Sequence, residues 1–382
     1  MTRAGPRRIT GRMDPTDAIR LPAERRWADE LAALDKADTH PRPPGWALSA
    51  RMVERFIIGS GDETIEGVTI ARKLYGHDVL VQRAITTLAS DRALLLIGEP
   101  GTAKSWLSEH LAAAISGTSL LTIQGTAGLT EDQIKYAWNY ALLLAEGPSE
   151  RALVAAPLYL GMRRGQVVRF EEVTRSPHEV QDTLLQALSE KLMLVPELAG
   201  DAGVLLARPG FNLIATANTR DRGVNEMSAA LKRRFHFETV PPLDDLQEEV
   251  RVVRSQVTDR LKGGPAEAVV LGDDVLDLLV TTFHELRSGR TVEGTQLSRS
   301  SSAMSTAEAV SVGLHSSLHA AFFGEGVVQP AHVAMQLTGT VAKEGDEDRK
   351  VLRDYFEVAV KPRAARQLGE WTAFYAARKH LS

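Results

Sequence analysis

Ala93-Leu94-Leu95-Leu96-Ile97-Gly98-Glu99-Pro100-Gly101-Thr102-Ala103-Lys104-Ser105 is the stretch that decides the fold. The branched apolar run reads as a strand buried on both faces of a parallel sheet. A Gly/Pro turn follows, and a helical pattern continues from Ser105 through Leu107, Leu111 and Ala114. Strand, glycine loop, Lys-Ser and helix make a phosphate cradle. Backbone N–H groups face the phosphates, Lys104 reaches the outer ones, and the Ser105 hydroxyl reaches Mg²⁺. Ala103 stands where such loops usually carry glycine. Its methyl is a mild change if the residue keeps negative φ.

Further strands extend this core. Gly165 to Val173 runs as an apolar strand into the adjacent carboxylates Glu171 and Glu172. Beside the first strand, that end opens next to the phosphate loop. One carboxylate can then hold Mg²⁺ through water and the next can activate the attacking water. Arg169 is an unusual residue within such a strand. Phe211 to Asn218 is another core strand, with a terminal amide placed to hold water or touch a phosphate. Leu231-Lys232-Arg233-Arg234-Phe235 leads into an apolar strand, and Pro241-Pro242 marks a boundary. If the protein forms a ring, one of the two arginines can reach a neighbour's γ-phosphate.

The remaining patterns surround that core. Residues 1 to about 45 read as a loose arm with a short helix near 22–38. Residues 64–90 read as helical around a break at Gly76. Thr130 to Gln133 is a capping box expected to open a helix through Trp138, Leu142 and Leu144. Lys191 to Phe211 reads as a hairpin around Gly200–Gly203. Beyond Pro242 the pattern is helical: Leu246, Val250, Val253, Val257 and Leu261 share a face, and Val275 to Leu286 makes another helix. Ser298–Ser302 is expected to cap a helix through Met304 and Ala307. Residues 327–382 read as helical, with Trp371, Phe374 and Tyr375 on a packing face.

Composition bounds the function. A chain of 382 residues predicts two or three domains. The net charge of -4 argues against wholesale nucleic-acid binding. With no cysteine, disulfides, thiol catalysis and cysteine-ligated zinc are excluded, and a reducing cytoplasm suits the chain. No metal-binding spacing occurs among its ten histidines. No apolar run of about 18 residues predicts a membrane span. The basic start lacks the apolar segment of a secretory signal.

Taken in order, these stretches resemble the AAA+ ATPases, and within them the MoxR-like branch, over roughly 55–380. The resemblance rests on Gly98 to Ser105 with Ala before the lysine, on Arg169-Phe170-Glu171-Glu172 followed by Thr174-Arg175, and on Phe211 to Arg222 with Arg233-Arg234-Phe235. It implies an α/β fold: an αβα sandwich with a parallel sheet over 56–242, an all-α lid over 243–325 and a helical extension over 326–382, after an arm at 1–55. The phosphate loop would be Gly98, Glu99, Pro100, Gly101, Thr102, Ala103, Lys104 and Ser105. Ser105 and Glu171 would ligate Mg²⁺, and Glu172 would be the catalytic base. Asn218 resembles sensor 1, Arg299 the sensor-2 arginine of the lid, and Arg234 the trans-acting arginine finger, with Arg233 competing. The segments around 131–162 and 192–210 match the helix-2 insert and pre-sensor hairpin.

The resemblance further implies ATP and Mg²⁺ as cofactors and a homo-oligomeric ring, a hexamer. It also implies remodelling of a protein client, often with a von Willebrand factor A-domain partner. A nucleotide-gated scaffold with little turnover and a DNA-acting motor are the alternatives.

Overall fold

The computed structural model describes residues 18–219, 226–298, 304–341 and 346–381. Its centre is a five-stranded, all-parallel sheet: β1 (Ala93–Gly98), β2 (Thr122–Gln124), β3 (Val167–Glu171), β4 (Asn212–Asn218) and β5 (Phe235–Thr239). The spatial order is β5-β1-β4-β3-β2. β1 and β4 therefore adjoin, with Asn218 opposite Gly98. β3 lies beside β4, with Ala215 opposite Phe170. The carboxyl ends of β1, β3 and β4 open together at one edge, where open α/β sheets bind ligands.

Strand alternation divides the core. Leu94 and Leu96 face a cluster with Leu107, Leu111 and the N-terminal helices. Ala93 and Leu95 face the opposite cluster with Val168, Phe170 and Leu213. Burial on both faces explains the unbroken apolar run of β1.

The helix expected near 22–38 is present, and the described remainder of the N-terminal segment, expected to be loose, packs against the sheet cluster. A short helix at Ala23–Arg26 precedes α1 (Ala28–Ala37) and α2 (Ala50–Ile58). Leu34, Trp46, Phe56 and Ile57 are buried against the sheet cluster. The next segment departs from its expected helix. Thr64–Ile65 pairs with Val68–Thr69 as a two-residue hairpin. Glu66 and Gly67, both at positive φ, make the turn and stop any helix there. The helix α3 runs only over Asp78–Leu88. α4 (Lys104–Ser116) follows the loop.

The capping box at Thr130 and Gln133 forms, but it opens only a 3₁₀ turn over Glu131–Gln133. Tyr136–Trp138 then pairs with Leu153–Ala155 as strands, so the expected long helix is broken, and Tyr140–Glu146 is a separate helix. Leu192–Leu194 pairs with Val204–Leu206 as the expected hairpin.

Past Pro242 the described elements, two isolated β-bridges aside, are helices: α5 (Leu246–Leu261), α6 (Asp273–Ser288) and α7 (Thr306–Phe323), then Pro330–Thr340 and shorter helices. Val250, Val253, Val257 and Leu261 of α5 join a separate core with α6, α7 and Phe374 of the C-terminal region. The cap of α7 is Ser305, in a capping box with Glu308, rather than the serines at 298–302. No described helix is long and apolar enough to cross a membrane.

Candidate active site

The phosphate loop links β1 to α4. Gly101 has φ +78°, and a Cβ there would lie 2.3 Å from Ser305 Oγ, so the cap of α7 packs directly on the loop. Ala103 has φ +66°, the left-handed region, so the condition under which its methyl would be a mild change is not met. The turn that starts α4 demands this conformation, and the methyl costs about 1 kcal/mol against glycine. Lys104 is buried; its Nζ donates to Gly98 O at 3.1 Å and Glu99 O at 2.6 Å.

The end of β3 explains the unusual arginine. Arg169 and Glu171 are two apart on one strand and so share a face. Arg169 Nη2 donates to Glu171 Oε1 at 2.7 Å. Its Nε donates to Ser108 Oγ at 3.0 Å, and its Nη1 and Nη2 donate to Ser119 O and Ser105 O, each at 3.2 Å. Three hydroxyls complete the shell of Glu171: Ser108 Oγ on Oε1 at 2.6 Å, Ser105 Oγ on Oε2 at 2.6 Å and Thr216 Oγ1 on Oε2 at 2.8 Å. Burial alone would raise this carboxyl's pKa; Arg169 and the hydroxyls outweigh it and hold it below the ordinary value.

Glu172 leaves the strand at φ +55°. Its backbone N–H donates to Thr216 Oγ1 at 2.9 Å, which ties the two carboxylates to β4. The turn aims its side chain into the cleft that Lys104, Ser105, Thr216 and Asn218 line. Arg175 Nη1 pairs with Glu172 Oε2 at 2.9 Å. Lys104, Ser105, Glu171, Glu172 and Asn218 are thus brought together at one sheet edge.

The two arginines are elsewhere. They precede β5, whose Phe235 lies opposite Ala93 at the start of β1. A strand of this length separates them from the loop by roughly 17 Å. Arg234 Nε donates to Ser189 Oγ at 2.7 Å and its Nη1 to Ala230 O at 2.9 Å; Arg233 is exposed. Neither serves the cleft of its own chain. Arg299 lies outside the described residues.

Several cleft residues carry no motif. Arg72, Tyr75 and His77 line a recess continuous with the loop, opposite Pro241, Pro242 and Leu243. His77 Nε2 donates to Pro241 O at 3.1 Å, which ties this wall to the domain junction. Lys73 borders both the recess and the phosphate end. Its Nζ pairs with Glu30 Oε2 at 2.5 Å and lies 4.4 Å from the Trp27 ring and 4.2 Å from the Phe56 ring. Burial, against the attraction of Glu30, pulls Lys73 down to about 8. The arm that supplies Trp27 and Glu30 is thus part of the wall. Trp27 Nε1 also donates to His110 Nε2 of α4 at 3.0 Å, and burial pushes His110 down to about 3.

A phosphate loop at the carboxyl edge of a β5-β1-β4-β3-β2 sheet, with paired carboxylates and an amide beside it, defines a P-loop nucleoside triphosphatase of the AAA+ class. An AAA domain model of the dynein-related subfamily matches residues 93–235, and a YehL-like AAA+ ATPase C-terminal domain model matches residues 247–382. YehL of Escherichia coli (strain K12) is 51% identical over 362 residues, 95% of this chain and 97% of that protein. SH1500 of Staphylococcus haemolyticus is 28% identical over 170 residues, 44% of this chain and 63% of that protein. Among solved structures, NtrX of Brucella abortus in complex with ADP is similar at a TM-score of 0.47 and 12% identity, covering 81% of this chain and 69% of that one. The chain belongs to the YehL-like AAA+ ATPases.

Proposed function

We propose that the chain is an Mg²⁺-dependent ATPase of the MoxR-like branch. It would work as a homo-oligomeric ring, a hexamer, and remodel a protein client, with a von Willebrand factor A-domain protein as candidate partner. One observation carries the reading. The loop, Glu171, Glu172 and Asn218 converge at one sheet edge, whereas Arg233 and Arg234 sit at the other, away from the cleft of their own chain, which supports their use by a neighbouring subunit.

Ser105 Oγ and Glu171 Oε2, 2.6 Å apart, are the hard oxygen donors that Mg²⁺ takes. The described residues contain no group of three or more His, Cys, Asp or Glu side chains able to hold a metal. With Ser105 and Glu171 as its protein donors, the ion would be completed by phosphate and water oxygens. When bound, it would neutralise phosphate charge. Lys104 would leave the carbonyls of Gly98 and Glu99 for the outer phosphates. Glu172 would take a proton from the attacking water, and Asn218 would orient that water. Arg175 pairs with Glu172 in this conformation, so hydrolysis requires that pair to open or share the carboxylate.

The test is ATP turnover per subunit against protein concentration, with Mg²⁺ present. A rate that climbs as subunits associate, and falls at least about 100-fold in Arg234→Ala, supports a site completed between neighbours. A rate independent of concentration and of that substitution overturns the ring reading.

A further inference from the structure

Val252, Gln256 and Arg260 of α5 recur every fourth residue, the spacing of one helical stripe. All three line the phosphate end of the cleft, with Lys104, Glu172 and Asn218. Val252 and Gln256 also border the recess behind Pro241, and Arg260 does not. The helix therefore runs along the cleft, with Arg260 at the phosphate end.

Arg260 has no hydrogen bond or ion pair among the described residues. The acid next to it, Asp259, is held by Arg26 Nη2 at 3.1 Å. Arg26 is itself fixed over the rings of Trp27 and Trp106, at 5.1 and 5.3 Å. Arg20 pairs with Glu109 of α4. Burial, then the charges of Arg20 and Arg26, lower the Arg260 pKa, so the groups that act on it are cations rather than counter-ions. Among the described residues, the start of α7 contributes only the neutral Thr306, Ala307 and Val310 to this end. An unneutralised guanidinium at the mouth of a lysine-bearing cleft is suited to an anion.

We propose that Arg260 is a ligand of the nucleotide's terminal phosphate, carried by the lid, and that the N-terminal segment keeps it available by holding Asp259 through Arg26. The inference rests on the nucleotide-binding reading above. It gives the N-terminal segment a part in substrate binding that no motif indicates. On this reading the lid distinguishes triphosphate from diphosphate through the terminal phosphate that only the former carries.

The experiment is calorimetric titration of the full chain with a β,γ-imido analogue of ATP and, separately, with ADP, both with Mg²⁺. Arg260→Ala should weaken the analogue at least about tenfold and change ADP less than about twofold. Arg260→Lys, which keeps a charge without the planar fork, should fall between. Arg26→Met frees Asp259 to pair with Arg260 and should weaken the analogue several-fold with ADP again spared. Equal weakening of both nucleotides, or none, overturns the role of Arg260. A wild type that binds both nucleotides, with Arg260→Ala unchanged, overturns this inference alone. A wild type that binds neither overturns the ATPase reading with it.

Discussion

Two buried arginine–glutamate clusters in this molecule look alike and do different work. At the cleft, Arg169 holds Glu171 at 2.7 Å. Between α6 and the C-terminal helices, Arg363 holds Glu285 by two bonds, at 2.5 and 3.0 Å, and Glu293 by two more, at 2.9 and 2.6 Å. Arg363 also lies 4.4 Å from the Trp371 ring. Each cluster includes hydroxyls: Ser105, Ser108 and Thr216 in the first, and Tyr355, whose Oη donates to Glu285 at 2.8 Å, in the second. The difference is where those hydroxyls lie. Ser105 and Thr216 border the cleft, whereas Tyr355 is buried in the helical core. Burial and pairing alone therefore do not mark a site. Donors that can exchange a carboxylate for a ligand do.

Arg169→Met puts the largest strain on this contrast. It leaves Glu171 buried without its cation, at a cost of about 3–5 kcal/mol in urea unfolding. Burial then pushes the carboxyl up, so the acid limb of ATP turnover should move to higher pH. Lost stability with an unmoved limb would make Arg169 structural, like Arg363.

Arg363→Met is the counterpart. It strands Glu285, and a loss of about 3 kcal/mol is expected, with nucleotide affinity of the folded protein unchanged. Reduced affinity would erase the distinction between the clusters. The same variant reports on pH. The hydrogen bonds from Arg363, against a smaller opposing effect of burial, pull Glu293 down to about 2. Its folded value lies below the ordinary carboxylate value of about 4.3. It therefore adds stability above that pH and loses it as pH falls towards 2. The thermal midpoint of Arg363→Met should depend less on pH over that window than the wild type's.

Ala103→Gly is the smallest effect. Relief of the left-handed methyl is partly offset by the freer unfolded chain, for a net gain of under about 1 kcal/mol. A loss of stability would mean that the methyl packs usefully on the loop.

Much of this was legible in the sequence, for physical reasons. An apolar run with a glycine loop, strands ending in Glu-Glu and Asn, and α5's spaced valines each state their environment locally. The sheet edge follows from them. The broken helix after Thr130 was not legible, because a valid capping box fixes only a first turn. Glu66-Gly67 is a turn signal that helical spacing overrode. Arg169 could have been read from its two-residue spacing to Glu171, and Thr216 from the same spacing to Asn218. Lys73, Glu30 and Arg260 carry no local signal. Their positions at the cleft depend on where the N-terminal segment and α5 pack, which is non-local.

The most direct measurement of the central claim is Mg²⁺-dependent ATP turnover by the wild type and by Glu172→Gln, with retained nucleotide analysed after gel filtration. The site described here predicts wild-type turnover, a fall of at least about 100-fold in the variant, and ATP rather than ADP held by it. Turnover within about twofold of wild type would contradict the assignment of Glu172 as the base.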